Sequence, residues 1–296
     1  MNTGNVETAG TGATTIASTG EGNVTTGDLI SAAESKGDTT VSAANGDVAT
    51  NALTNAGKGN MTVESTTGGD ATVRGDMVAS DGAGDVKVAA KEGETTVQGN
   101  MTNEGTGAME ATGKEDVEVQ GDLAATGKGA TMNVASDEGD VTVGSAGGTA
   151  LEVGANAGAA TVQGAKDVTV KGDVRNASAA KTTIASTGDG TVSVGALTNS
   201  GKGETDVSSA EGDVAVNGAI VNTDGTTTVS AGKEFTAEDS ITNDGGTVTI
   251  TAGEAATVDG DVIVDGKGIT TVSAGDALEI TGTVDQGENG TIDLVA

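Results

Sequence analysis

EGDVAVNGAIVNTDGTTTVSAG, residues 211–232, holds three short runs of β-branched residues separated by Gly, Asp and Asn. Val214 and Val216 flank Ala215, a second run covers Ile220 to Asn222, and a third covers Thr227 to Ser230. Alternation of this kind, bounded by turn-forming residues, is the pattern of strands joined by tight corners. Helical spacing at i, i+3 and i+4 is not sustained in it or elsewhere in the chain.

The phrase recurs along the whole chain. One aliphatic position after a Gly-Asp, Gly-Asn or Gly-Ala pair serves as a ruler: Leu29, Leu53, Met77, Met101, Leu123, Val174, Leu197, Ile220, Ile241, Val262 and Val284. Successive intervals are 24, 24, 24, 22, 51, 23, 23, 21, 21 and 22 residues, so the interval of 51 must hold two repeats, with GSAGGTALEVGANAG (144–158) between them. About thirteen repeats of 21–24 residues result, the period of solenoids. A leucine-rich repeat would need a leucine framework that seven leucines cannot supply.

Composition at first contradicts an ordered fold. Leu, Ile, Val and Phe supply 52 of 296 residues, and 44 acids against 14 bases give a net charge of −30. Such a chain cannot offset its conformational entropy by filling one thick core. A solenoid removes the conflict, because each coil buries only a thin column of side chains and hydrogen-bonds to its neighbours. The expected fold is therefore all-β: a single-stranded parallel β-helix (β-solenoid) of about 13 coils with three short strands each, one repeat domain over 1–296. At a strand spacing of about 4.8 Å the coils would stack to roughly 60 Å.

Six repeats place asparagine two residues after the ruler position: Asn55, Asn103, Asn176, Asn199, Asn222 and Asn243. Residues i and i+2 share a strand face, so these amides should point inward with the aliphatic marker. They are expected to form a polar ladder, satisfying one another and the corner backbone.

Phrases such as GDVAVNGAIVNTDGTTTVSAG and SVGALTNSGKGETDVSS resemble the repeats of filamentous-haemagglutinin-type adhesins and autotransporter passengers. The resemblance covers essentially the whole chain and rests on repeat length, the Gly-Asp-hydrophobic opening and the Leu-Thr-Asn-x-Gly segment. It implies a right-handed coil, secretion from a bacterium, and display at the cell surface as a stalk or adhesive fibre. No signal peptide, secretion domain, apolar transmembrane run or translocator barrel is recognisable, so export is expected of a longer parent protein.

Chemistry is restricted by what is missing. Cys 0 and His 0 remove thiol and imidazole catalysis and the usual zinc or copper ligands, and no cofactor is expected. Sugar-active clefts use aromatic platforms, yet Phe235 is the one aromatic residue, and the chain is expected not to be an enzyme. A polysaccharide-processing β-helix or phage tailspike is the alternative from another class, and a pure structural spacer or designed solenoid is a third. The charge of −30 disfavours nucleic acid and anionic lipid as partners, and no membrane insertion is expected.

Arg74, Gly75 and Asp76 form the tripeptide carried by many integrin ligands, the one discrete binding candidate. Its column also reads Gln98-Gly99-Asn100, Gln120-Gly121-Asp122, Lys171-Gly172-Asp173 and Asp259-Gly260-Asp261, so x-Gly-Asp is a default corner of this repeat. Acidic faces would bind calcium only weakly and diffusely, since neither a nonapeptide array nor an EF-hand loop is present. Gly-Lys-Gly corners at Lys58, Lys128, Lys202 and Lys267 fall in coils that are not adjacent, so they make no continuous basic stripe. Thr226–Thr228 and Thr247–Thr249 resemble an ice-binding face, but the same place reads Asn60-Met61-Thr62, Met109-Glu110-Ala111 and Glu204-Thr205-Asp206, too irregular for that function. Neither MNTGNVETAG nor GTIDLVA is a polar cap, which predicts end-to-end self-association or neighbouring coils in a longer parent. Host-cell surfaces or glycans are the expected partners.

Overall fold

A computed structural model describes residues 1–145 and 147–296. The fold is an all-β solenoid of about 13 turns, with three parallel sheets of 13, 13 and 12 strands and no helix among the described residues. Each coil lays down three strands in order, as in Val214–Val216, Ile220–Asn222 and Thr226–Ala231. They belong to the first, second and third walls respectively. The ruler residues start the second-wall strands and pair directly across coils, for example Leu197 with Ile220 and Ile220 with Ile241.

The chain divides into two compact units, residues 1–144 with 156–161, and residues 145–155 with 162–296. In the first, the second wall runs Val6–Thr8, Leu29–Ser31, Leu53–Asn55, Met77–Ala79, Met101–Asn103, Leu123–Ala125. In the second it runs from Thr149–Val153 through Asp173–Asn176 and Leu197–Asn199 to Val284–Gln286. Leu151 is the ruler residue hidden in the long interval, 28 residues after Leu123 and 23 before Val174, with a bulge between Thr149 and Leu151. The extra length makes this coil longer than the expected 21–24 residues.

Most three-residue strands bury their first and third side chains and leave the middle one half-buried, as Val214–Val216 and Ile220–Asn222 do, which is why a chain poor in large apolar groups suffices. Val, Ala and Thr fill most inward places, while Phe235 takes one alone. Phe235 is 1% exposed and stands in register between Val214 and Ala256, with Ala237 at the next inward place of its strand. The small alanines leave room for the ring. All methionines except Met1 are buried in the first unit, with Met77 paired to Met101 and Met109 to Met132.

Glycine is required where one corner rests on the corner beneath. A Cβ on Gly121 would lie 2.5 Å from the Gly99 carbonyl carbon and 2.5 Å from Asn100 Oδ1. Gly225 turns with φ of 71°, the left-handed region that other residues avoid.

Candidate functional site

A three-strand coil has three corners, and where Asp or Asn stands just before a strand its side chain does the same work at each kind of corner. At the corner entering the first wall, Asn23 Oδ1 accepts the Asp47 backbone N–H at 3.0 Å, Asp47 Oδ1 accepts that of Asp70 at 3.1 Å, and Asp70 Oδ1 accepts that of Glu94 at 3.0 Å. Entering the second wall, Asp76 accepts from Asn100 N–H at 2.8 Å and Asn100 from Asp122 N–H at 2.9 Å. Entering the third, Asp38, Asn60 and Asp85 each accept the N–H of the following coil at 2.8–3.0 Å. A corner N–H pointing along the solenoid finds no partner in its own coil, and a short side-chain acceptor one coil away supplies it. The sequence marks these residues as turn formers; their acceptor role was missed because donor and acceptor lie about one repeat apart.

Stacked carboxylates repel. Glu94 is held above the usual carboxylate range, chiefly by desolvation and then by Asp70, Asp116, Glu115 and Glu118. Asp261 is held below it by the backbone N–H and hydroxyl of Thr283, at 2.7 and 2.9 Å. Glu94, Asp116, Glu118 and Asp140 border a hollow of about 200 Å3 on the first wall. Among the described residues no group of three or more acidic side chains is placed to hold a metal ion. Bases relieve the charge by bridging coils: Lys91 to Glu64 at 2.5 Å, Lys114 to Glu92 at 2.6 Å, and Lys181 to Asp206 at 2.9 Å and Glu204 at 3.2 Å. Hydrogen bonding to Asp206, above all, raises the Lys181 ammonium pKa.

Arg74, Gly75 and Asp76 form one of these corners, between the strands Ala71–Val73 and Met77–Ala79. Arg74 and Asp76 are exposed and Gly75 is partly covered. The backbone of the tripeptide is tied down, with Arg74 N–H bonded to Thr50 O at 3.0 Å and Gly75 N–H to Asn51 O at 2.9 Å. Asp76 already gives one oxygen to Asn100. The tripeptide is thus a stacked corner, not a projecting loop.

All six asparagines of the expected ladder point inward and are at most 1% exposed. Asn176, Asn199, Asn222 and Asn243 are in direct register over four consecutive coils, whereas Ala79 separates Asn55 from Asn103. Their bonds go mainly to backbone. Asn103 donates to Gly107 O at 2.9 Å and to Thr131 O at 2.8 Å, and accepts Gly105 N–H at 3.1 Å. Among the described residues Asn222 Nδ2 donates to Asn243 Oδ1 at 3.1 Å, an amide-to-amide bond. The expected mutual satisfaction is therefore secondary: Asn55, Asn103, Asn176, Asn199 and Asn243 bond to backbone of the next coil, whereas Asn222 bonds to the side chains of Asn243 and Thr227. Asn199 Oδ1 is buried without a partner.

A concavity of about 390 Å3 lies on the second unit along Gly148, Gly172, Gly195 and Gly218. Its floor is a shortened corner: Gly195 and Ala196 alone join Val194 to Leu197, where Lys171–Asp173 and Asn217–Ala219 supply three residues in the coils on either side. Thr169, Ser193 and Asn217 line it, and Asn217 Nδ2 donates to Ser193 Oγ at 3.0 Å. Lys171 and Asp173 also border it, on either side of Gly172. No protein-family model, curated protein or solved structure matches the chain.

Proposed function

We propose that the chain is a non-enzymatic structural and adhesive segment of a secreted bacterial surface protein, serving as an acidic stalk whose contacts are spread over several coils. The observation that carries this reading is the use made of aspartate: at all three kinds of corner Asp and Asn side chains are committed to the backbone of the neighbouring coil, so part of the acidic content serves the stack. The resemblance of the repeats to filamentous-haemagglutinin-type adhesins points the same way and supplies the expected location, the cell surface. Neutral or cationic surfaces, host-cell or glycan, suit a charge of −30 better than nucleic acid does. Val284 and Val295 of the final coil are about half exposed, 47% and 49%, and stacking of another copy there is the self-association this reading expects.

The test is binding of the purified chain to host cells and a glycan panel, with and without calcium, beside an Arg74→Ala variant. Binding that survives Arg74→Ala and calcium removal supports the reading. Release of sugar from the panel would instead place the chain among polysaccharide-processing β-helices, and binding abolished by Arg74→Ala would move the function to the tripeptide.

A further inference from the structure

The strand register gathers hydroxyl side chains on part of the third wall. Across three consecutive coils of the second unit, two outward ranks of the third wall read Thr228–Thr249–Thr271 and Ser230–Thr251–Ser273. Thr226 and Thr247 begin a further rank that ends in Ile269. Nine outward places thus carry eight hydroxyls, one aliphatic side chain and no charge, on a chain with 58 charged residues (44 acids and 14 bases). The irregular places Asn60, Glu110 and Asp206 all belong to other coils. Ser273 Oγ donates to Ile250 O at 3.4 Å and to Thr251 Oγ1 at 3.5 Å, while among the described residues no hydrogen bond engages the hydroxyls of Thr226, Thr228, Thr247, Thr249 and Thr271.

Such a window is a two-dimensional lattice. Strand spacing sets its repeat at about 4.8 Å along the stack, and the pleat repeats it at about 6.6 Å along each strand. Threonine is stiff at χ1, so methyl and hydroxyl positions are fixed before any partner arrives and little side-chain entropy is lost on contact. A regular array of identical weak groups matches a partner that is itself a regular array. An ordered lattice of water offers a hydrogen-bond partner to every hydroxyl and a void to every methyl. Sugar lattices are the weaker match, because the one aromatic ring that could stack on a pyranose, Phe235, is 1% exposed.

We propose that the window formed by Thr226–Ser230, Thr247–Thr251 and Thr271–Ser273 binds the surface of ice. The proposal does not depend on the adhesive reading.

The test grows an ice hemisphere slowly in a solution of the full chain and measures protein in the melted ice by amide absorbance, since no Trp or Tyr is present. Thr249→Lys puts a charge in the centre of the window, and Thr183→Lys puts one on the same wall outside it. A charged outward residue is compatible with this wall, because Asp206 pairs directly with Thr183 and Thr228. Circular dichroism checks that both variants keep the fold. The expected result is enrichment of the wild-type chain and of Thr183→Lys in the ice, and exclusion of Thr249→Lys. Exclusion of the wild-type chain, or equal enrichment of all three, would overturn the proposal. So would loss of ice binding in the presence of a neutral crystalline polysaccharide that holds the wild-type chain and releases Thr249→Lys, since the window would then be a glycan face.

Discussion

The amide of Asn103 makes three hydrogen bonds in a place that water does not reach, joining its own corner to the coil above. Removing it strands a buried N–H and two carbonyl oxygens, and Asn103→Ala should cost about 1–3 kcal/mol in urea unfolding. Asn199→Ala should cost less, because Asn199 Oδ1 already lacks a partner. Equal losses would mean that the two side chains serve only to fill space. The acids divide by sign. Asp261 has a folded pKa below its unfolded value, so its contribution is present above the unfolded pKa and is lost as pH falls through the folded one. Glu94 has a folded pKa above its unfolded value, so its ionised form opposes folding at neutral pH, and acidification through the folded pKa relieves that cost. Glu94→Gln should therefore raise the Tm at pH 7 and lose that advantage near pH 4, about the carboxylate range. A pH-independent difference would show that the ionisation of Glu94 is not the cause.

Among the elements, the strands were legible and the corners only half so. Alternation in GDVAVNG and the recurring aliphatic position locate second-wall strands to the residue, because Leu197, Ile220 and Ile241 pair as the spacing implies. Leu151 escaped the ruler because the insertion before it shifts its distance from Leu123 to 28 residues. The inter-coil acceptors escaped because Gly-Asp is already explained as a turn, and nothing local reveals that Asp76 serves Asn100 in the next repeat. The threonine window needed the register, since charged neighbours in sequence-equivalent coils obscure the three coils that lack them. Packing of one strand gives a test at this scale: Phe235→Ala opens a cavity against Val214 and Ala256, both fully or nearly fully buried, and should cost about 3–5 kcal/mol. A smaller loss would indicate collapse of the thin column around the site.

For the whole chain, charge is the main term set against the stack. With 44 acids and 14 bases, self-repulsion should be strongest at low ionic strength, and adding salt should raise the Tm as exposed carboxylates are screened. Inter-coil pairs such as Lys181 with Asp206 weaken in the same salt, but exposed pairs contribute only about 0–1 kcal/mol each and cannot reverse the trend. A Tm that falls with salt would assign stability to those pairs instead. Parallel coils stacked in register define the fold, and the absence of cysteine makes that stacking directly measurable. Thr198 and Val221 are outward neighbours in adjacent coils, and Thr242 is one coil further. Paired strands hold such Cα atoms about 4.8 Å apart, within disulfide range, while two coils exceed it. Under mild oxidation, free-thiol titration should show loss of both thiols within the Thr198→Cys/Val221→Cys monomer and their retention in Thr198→Cys/Thr242→Cys. Equal oxidation of the two variants, or none in either, would contradict the stacked parallel coil.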